Sequence, residues 1–222
     1  LSIVMALLIS GLGLLTSVYS IGYMWKRPRF ARYFSLLGLF LFAMMLLVLA
    51  DNLAFMFIGW SAAGMASSLL VGMDFLDRSK RMAAVKTFVW NSFSDILLLA
   101  GIFLVYGVMS AGDVDPQIGM FSFESMERHA FYFLPVATAV SILMFAACAI
   151  KSAQLPFHTW LLDSMKGPTP ISALAHSATM VCAGAYLMIR LNFILVMSSH
   201  AMSVICLFGI VTALCAAVFA VG

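Results

Sequence analysis

Apolar runs long enough to cross a lipid bilayer follow one another through almost the whole sequence. Hydrophobic residues make up 64% of the 222 residues, and charged residues make up only 9%. A soluble domain of this size needs many more polar side chains on its surface, so the sequence predicts an integral membrane protein. Dividing the apolar sequence into segments of about 20 residues gives roughly seven crossings. The predicted fold class is therefore an all-α polytopic membrane protein.

Short polar breaks separate the predicted crossings. Asp51 and Asn52 are assigned to a tight turn, because the apolar stretch around them is too long for one span. The fifth span is predicted to break at Pro156 and to resume as a short amphipathic piece that ends at Met165. The spans are predicted at about residues 1–25, 33–50, 53–73, 82–109, 131–154, 171–190 and 201–222.

Loop charges predict the orientation of these spans. Eight of the twelve lysine and arginine residues lie in the loops at 26–32 and 74–86. The acidic loop at 110–130 and Asp51 lie on the opposite side. By the positive-inside rule, the basic loops face the cytoplasm or the matrix. The first residue then faces outward and the C-terminal end faces inward.

Other functional classes find little support in the sequence. The net charge of +3 gives no indication of nucleic-acid binding. The four cysteines lie inside apolar runs without metal-ligand spacing, so we expect neither a metal site nor a disulfide framework. The sequence shows no signal or transit peptide and no initiator methionine. We expect it to be a fragment, a processed product or one piece of a longer subunit.

Lys151 is the strongest candidate for a functional residue. A charged lysine within the hydrocarbon region costs several kcal/mol, so such residues usually face a hydrated cavity or a partner. Burial favours the neutral amine, which allows a lysine to take up and release a proton near neutral pH. Pro156 is predicted to free the carbonyl groups near Ser152 and Ala153 and to create a hydrated, broken helix. The alternatives are a lysine that snorkels to the interface and a plain structural kink.

Two histidines lie near this predicted break. His176 lies about two turns into the next span, with Ser172 and Thr179 on the same face. A histidine can relay protons near neutral pH, although a neutral histidine that is hydrogen-bonded between helices is an equal alternative. His158 follows the break near the inner mouth and is predicted to have a weaker relay role.

Asp95 is a further candidate because it lies in the middle of the fourth span. An intramembrane carboxylate is costly unless it is paired, protonated or hydrated. Lys86 is more than two turns away on the same helix, so Asp95 is predicted to contact another helix. The stretch from Gly59 to Ser68 is rich in small residues, which predicts a close helix-packing face.

The sequence KSAQLPFHTWLLDSMKGPTPISALAHSATMVCAGAYLMIR closely resembles the signature of the antiporter-like, proton-translocating subunits of respiratory complex I. The stretch LVLADNLAFMFIGW and the segment that ends at Asp95 match the same family in order and spacing. Within the family the chain is most similar to the distal subunit, chain 5, and it also resembles the large subunit of Mrp-type antiporters. The resemblance covers essentially the whole chain.

This resemblance implies a fold of two inverted five-helix repeats, each with a broken helix that carries a lysine or glutamate. The chain resembles one late N-terminal span followed by the first repeat. The implied units are a helix and basic loop at 1–32, a half-channel repeat at 33–198 and the start of a further helix at 199–222. The broken helix lies near 151–157.

The resemblance also assigns roles to single residues. Lys151 matches the central lysine of the family, His176 its histidine on the next helix, and Asp95 its aspartate. Together with His158, these residues form the predicted proton path.

Two positions depart from the family pattern. Ser61 stands where the family has a glutamate after Gly-Trp, and Ser92 stands where an arginine is common. If the two missing side chains face each other, their joint loss is charge-neutral. Unless Asp95 replaces the glutamate, Lys151 is expected to hold its proton less firmly than in relatives that keep it.

The resemblance implies a non-redox subunit of a proton-translocating NADH:ubiquinone reductase, with no cofactor in this chain. Quinone reduction elsewhere in the assembly would drive the protons. The implied partners are other membrane-arm subunits, including a chain that supplies the second repeat, and membrane lipids. The phenylalanine and methionine content favours the mitochondrial inner membrane over a bacterial cytoplasmic membrane.

Two alternatives stay open. An Mrp-type cation/proton antiporter or ion-coupled uptake subunit would work without electron transfer. A scaffold subunit that has lost pumping is the third hypothesis, and the missing glutamate and arginine support it.

Overall fold

The structure, a computed structural model, describes residues 1–25, 27, 29–112, 121–177 and 179–221, with side chains except at 176, 177 and 221. In these ranges the chain forms helices and no β-strand. The helices are α1 (Ser2–Met24), α2 (Phe30–Leu49), α3 (Leu53–Val71), α4 (Arg78–Ala111), α5 (Phe123–Arg128), α6 (Ala137–Lys151), α7 (Thr159–Ser164), α8 (Thr169–Ser177), α9 (Met180–Arg190), α10 (Asn192–Leu195) and α11 (Ser199–Val221). A 3-10 helix at Ala130–Phe133 precedes α6.

Six of these helical stretches are long and apolar enough to cross a membrane. They are α1, α2, α3, α4, the α8–α9 stretch and α11, whereas α6 is apolar but shorter. This arrangement confirms the predicted all-α polytopic membrane fold. The α3 and α8–α9 stretches lie largely inside the molecule, while α11 lies on its outside.

The predicted turn between the second and third spans is confirmed. Helix α2 ends at Leu49, and Asn52 is the N-cap of α3. The Asn52 side chain accepts a hydrogen bond of 2.8 Å from the backbone N–H of Ala54. Such a cap satisfies one of the amide groups that a helix start leaves without an intrahelical partner.

Helix α3 packs closely against α2, as its small residues predict. A side-chain carbon on Gly59 would lie 2.6 Å from the backbone nitrogen of Leu47 and 2.8 Å from the carbonyl oxygen of Ala43. Only glycine allows the two backbones to approach so closely. The close contact fixes the position of the next residue, Trp60, which is fully buried.

The fifth span is interrupted as predicted, but the position and the cause of the break differ. Helix α6 runs from Ala137 to Lys151, whereas the prediction was a helix from about 131 to 154 that ends because of Pro156. Ala153 has a left-handed backbone with φ of 51°. The N–H group of Gln154 donates to the carbonyl of Ala149 at 2.8 Å. The N–H group of Ala153 donates to the carbonyl of Ile150 at 3.1 Å. This Schellman-type cap ends the helix before the proline is reached.

The sixth span departs from helical geometry at Thr179, which the sequence did not predict. Helix α8 is described as far as Ser177, and Thr179, with φ of −111° and ψ of −83°, is the N-cap of α9. The Thr179 hydroxyl donates a hydrogen bond of 2.8 Å to the carbonyl of Leu174. Threonine hydroxyls compete in this way with the helical backbone pattern. Thr179 lies three residues after His176.

Candidate functional site

Lys151 lies at the end of α6 and is completely buried. Its ammonium donates a hydrogen bond to the carbonyl oxygen of Trp60 on α3. The same nitrogen lies 4.3 Å from the centroid of the Trp60 ring, which is a cation–π distance. The side chain therefore points inward to α3, and the snorkelling alternative does not describe it.

Helix α6, which ends at Lys151, is too short to cross a membrane on its own. Its 15 residues span about 22 Å at 1.5 Å per residue. This length is shorter than the hydrocarbon core of about 30 Å. Since the chain leaves the helix directly after Lys151, the lysine and the break lie at the same depth. The last turn of a helix also carries partial negative charge, which favours a cation there.

The indole of Trp60 is fixed by a chain of hydrogen bonds. Its Nε1–H donates to the Ser94 hydroxyl on α4 at 3.3 Å. The Ser94 hydroxyl donates in turn to the carbonyl of Ala147 on α6 at 2.8 Å. Ala147 lies one turn before Lys151. Helices α3, α4 and α6 are therefore joined by polar contacts directly beside the lysine.

Asp95 contacts another helix, as the sequence predicted. Its Oδ2 atom accepts a hydrogen bond of 2.8 Å from the hydroxyl of Ser61 on α3. The other oxygen, Oδ1, is buried and has no hydrogen-bond partner in the part of the chain that the structure describes. Asp95 and Lys151 interact electrostatically, but no ion pair joins them among the described residues.

Ser61 and Trp60 bring the two charged groups to one turn of α3. Trp60 contacts Lys151 through its carbonyl and its ring, and the next residue, Ser61, binds Asp95. Ser61 therefore contacts Asp95, which lies three residues after Ser92 on α4. In the resembled family, a glutamate at position 61 would lie next to the carboxylate of Asp95. A second carboxylate there would have to be offset by a positive charge or by a proton.

The two predicted histidines differ in what the structure describes. His158 is the residue before α7, is half-buried, and has a buried Nδ1 atom without a hydrogen-bond partner among the described residues. His176 lies in α8, but its side chain is outside the described part, so its role stays a prediction. Ser172, one turn before it, has a buried hydroxyl that finds no partner in the described ranges.

A cavity of only about 10 Å³, close to the minimum that holds one water molecule, adjoins Ser172. Hydroxyl-bearing residues from four elements contribute to its lining: Ser67, Thr87, Ser164 and Ser172. The hydroxyls of Ser67, Thr87 and Ser164 each donate to a backbone carbonyl of their own helix. The cavity lies between α3, α4, α7, α8 and the start of α9.

Lys86 is paired with a residue that the sequence did not suggest. Its ammonium donates a hydrogen bond of 2.7 Å to Asp163 on α7, and Lys166 donates to the same carboxylate at 3.0 Å. These hydrogen bonds, that of Lys86 first, hold the pKa of Asp163 below its ordinary value. The pair ties the short helix after the break to α4. This contact joins residues 77 positions apart and left no local signal in the sequence.

Comparison with known families shows which family the chain belongs to. Residues 50–222 match the family described as NADH:quinone oxidoreductase/Mrp antiporter, TM. The chain belongs to this family. Residues 1–34 match the N-terminal family of NADH-ubiquinone oxidoreductase (complex I), chain 5. The predicted resemblance is confirmed.

Individual relatives support the same assignment. NADH-quinone oxidoreductase subunit L of Buchnera aphidicola is 38% identical over 96% of this chain and 34% of its own length. NADH-ubiquinone oxidoreductase chain 5 of Chondrus crispus is 39% identical over 98% of this chain and 33% of its own. The chain therefore spans about a third of the length of these curated relatives.

A solved structure has a similar fold. The Mrp complex from Dietzia sp. DQ12-45-1b aligns with a TM-score of 0.70 and 27% identity, over 86% of this chain and 20% of that chain. Both branches named in the family description are thus represented among proteins similar to this one.

Proposed function

We propose that this chain forms one proton half-channel, a path from one membrane face to a central lysine, in the membrane arm of a respiratory NADH:quinone oxidoreductase. The observation that carries the proposal is the buried ammonium of Lys151 at the interruption of α6, next to the Ser61–Asp95 pair. Buried lysines at membrane depth are costly and usually serve transport.

The contacts of Lys151 suit a proton that is bound and released. A carbonyl oxygen and an aromatic face stabilise the ammonium without accepting its proton permanently. A carboxylate in direct contact would hold the charge more firmly. Among the described residues, Asp95 makes no hydrogen bond to Lys151, and its Oδ2 atom accepts one from Ser61. Asp95 therefore acts on Lys151 through its charge. Its Oδ1 atom, which has no hydrogen-bond partner among the described residues, can accept a proton or a water molecule.

In this proposal Lys151 exchanges protons through bound water with three side chains: Asp95, His176 and His158. His158 lies on the inner side of the break, near the Lys86–Asp163 pair that marks the basic face. His176 lies on α8, one turn after Ser172, whose buried hydroxyl has no hydrogen-bond partner in the described ranges. Residues 33–198 would form the repeat that holds this path.

The chain would act in the enzyme without holding a redox cofactor, since electron transfer would take place on other subunits. Other membrane-arm subunits would surround it, and the second repeat would come from further polypeptide or another chain. We propose the mitochondrial inner membrane from the 19 phenylalanines and 17 methionines. Bacterial relatives make the bacterial cytoplasmic membrane the alternative.

Native electrophoresis of detergent-solubilised membranes tests this proposal. The gel is stained for NADH dehydrogenase activity, and the active band is examined by mass spectrometry. We expect the chain in a large NADH-oxidising assembly. Its presence only in a smaller particle without NADH activity would contradict the proposal.

A second candidate function is cation/proton antiport of the Mrp type, which the structural similarity to the Mrp complex favours. Vesicles that contain the assembly but receive no NADH separate the two functions. Sodium-dependent proton movement in such vesicles would favour antiport, whereas proton movement that requires NADH would favour the respiratory function.

A further inference from the structure

A groove between α3 and α4, close to the start of α2, combines apolar walls with two arginines. It has a volume of about 350 Å³ and opens to the outside of the molecule. The four large apolar side chains in its lining are each between 40% and 51% exposed. Its main lining residues are Arg32, Leu69, Phe75, Arg81, Val85 and Phe88.

Small residues make this groove a fixed feature of the fold. Gly72 and Ala84 lie between its walls, and a side-chain carbon on Gly72 would lie 2.8 Å from the Cβ of Ala84. The two helices therefore approach closely where the groove is deepest. The hydroxyl of Ser68 is turned back to the carbonyl of Met65 at 2.7 Å, so the groove presents an apolar interior.

Among the residues that the structure describes, no acidic side chain pairs with the two arginines of the groove. Asp74 is already bound by Lys80 at 2.8 Å and by Arg29 at 3.3 Å, and the hydrogen bond from Lys80 is the main cause that lowers its pKa. No carboxylate lies within 4.0 Å of the charged nitrogens of Arg32 or Arg81 in the described ranges. Two positive charges are thus left for an external anion.

The other acidic residue near the groove, Asp77, also forms a hydrogen bond within the chain. Asp77 accepts a hydrogen bond of 2.8 Å from the N–H of Ser79 and caps α4. Its side chain is therefore committed to the helix start. Electrostatically, the groove is positive at its arginines and neutral along its walls.

The position of the groove suits a lipid. Helix α3 ends at Val71 and α4 begins at Arg78, so this end of the helices lies at the membrane–water interface. The arginines then lie at the level of the headgroups, while Val85 and Phe88 extend toward the hydrocarbon region. Basic pockets between transmembrane helices on the cytoplasmic or matrix side bind anionic lipid headgroups.

We propose that this groove binds an anionic phospholipid. Arg32 and Arg81 bind its phosphate, and one acyl chain lies against Leu69, Val85 and Phe88. The charge complementarity and the apolar walls at acyl depth favour a phospholipid over a soluble anion, which would use only the arginines. This site is separate from Lys151 and does not depend on the proposed function.

The test uses the full-length protein in its purified, delipidated assembly. Binding of a fluorescent phosphatidylglycerol is titrated in detergent, with phosphatidylcholine and inorganic phosphate as competitors. We expect Arg32→Gln and Arg81→Gln each to weaken phosphatidylglycerol binding about fivefold. Neither phosphatidylcholine nor inorganic phosphate should displace the probe at equal concentration.

Two further variants make the test specific. Arg78→Gln removes the same charge one turn before Arg81 but outside the groove, so its binding should equal that of the parent protein. Val85→Trp keeps both arginines and fills the groove from an exposed position, so it should weaken binding even if an arginine variant fails to assemble. Equal loss in Arg78→Gln, displacement by inorganic phosphate, or full binding in Val85→Trp would overturn the proposal.

Discussion

At the scale of single residues, Ser61 is the position where this chain differs most informatively from the pattern it resembles. Its hydroxyl binds Asp95 at 2.8 Å, and the preceding residue, Trp60, contacts Lys151. One small side chain therefore keeps a carboxylate near a buried lysine but out of direct contact with it. A change at this residue should alter the proton affinity of the site more than its packing.

We expect Ser61→Glu to move the alkaline limb of proton translocation to higher pH, because a second carboxylate stabilises the protonated lysine. The pH profile of proton pumping in vesicles measures this shift. Ser61→Thr keeps the hydroxyl and is the matched control, with an unchanged profile. A Ser61→Glu protein with neither a gain in pumping nor a shifted profile would refute this account of the residue.

At the scale of secondary-structure elements, the interruption after α6 depends on a residue that is poorly suited to it. Ala153 adopts a φ of 51°, which costs an alanine roughly 1 kcal/mol more than a glycine. The strain is accepted because Gln154 and Ala153 satisfy the carbonyls that the end of the helix leaves open. Helix α6 therefore ends at Lys151 by backbone capping.

Ala153→Gly is expected to stabilise the protein by about 1 kcal/mol, since glycine adopts this backbone without a steric penalty. Thermal unfolding of the purified assembly, followed by loss of its native size, measures the change. Ala147→Gly within α6 is the control and should lower the midpoint, because glycine is unfavourable inside a helix. A lower midpoint for Ala153→Gly would show that the left-handed backbone does not limit stability.

The contact between α7 and α4 should depend on pH. The pKa of Asp163 is lowered in the folded protein from its ordinary value of 3.8, because Lys86 and Lys166 donate hydrogen bonds to it. The unfolded chain therefore takes up this proton at higher pH than the folded one. The stabilisation is complete above pH 3.8 and is lost as the pH falls through the folded-state pKa.

For this partly exposed pair we expect a contribution of about 0.2–1 kcal/mol. Asp163→Asn should remove it at every pH and make α7 more accessible to limited proteolysis at pH 7. Asp77→Asn, which changes a carboxylate outside this contact, is the control. Equal proteolysis of α7 in Asp163→Asn and the parent protein would show that the ion pair does not hold the helix.

At the scale of the whole molecule, apolar runs alone were sufficient to predict a polytopic helical fold and the turn at Asp51 and Asn52. Hydrophobicity decides these features locally, so no tertiary information is needed. The break expected near 151–157 includes the end of α6. Its backbone cap could not be predicted, because an alanine occupies the position where a glycine would have signalled it. The partners of Lys151 and Asp95 come from α3, a different helix, and a single sequence does not record such long-range contacts.

The central claim is that Lys151 carries protons across the membrane. The most direct measurement is the number of protons translocated per electron in vesicles that contain the NADH-oxidising assembly with Lys151→Met. The matched control is Lys166→Met, which changes an exposed lysine that follows the break in the chain. We predict a lower proton yield per electron for Lys151→Met and an unchanged yield for Lys166→Met. An undiminished yield with Lys151→Met present in the assembly would contradict the proposed path and favour a scaffold that has lost pumping.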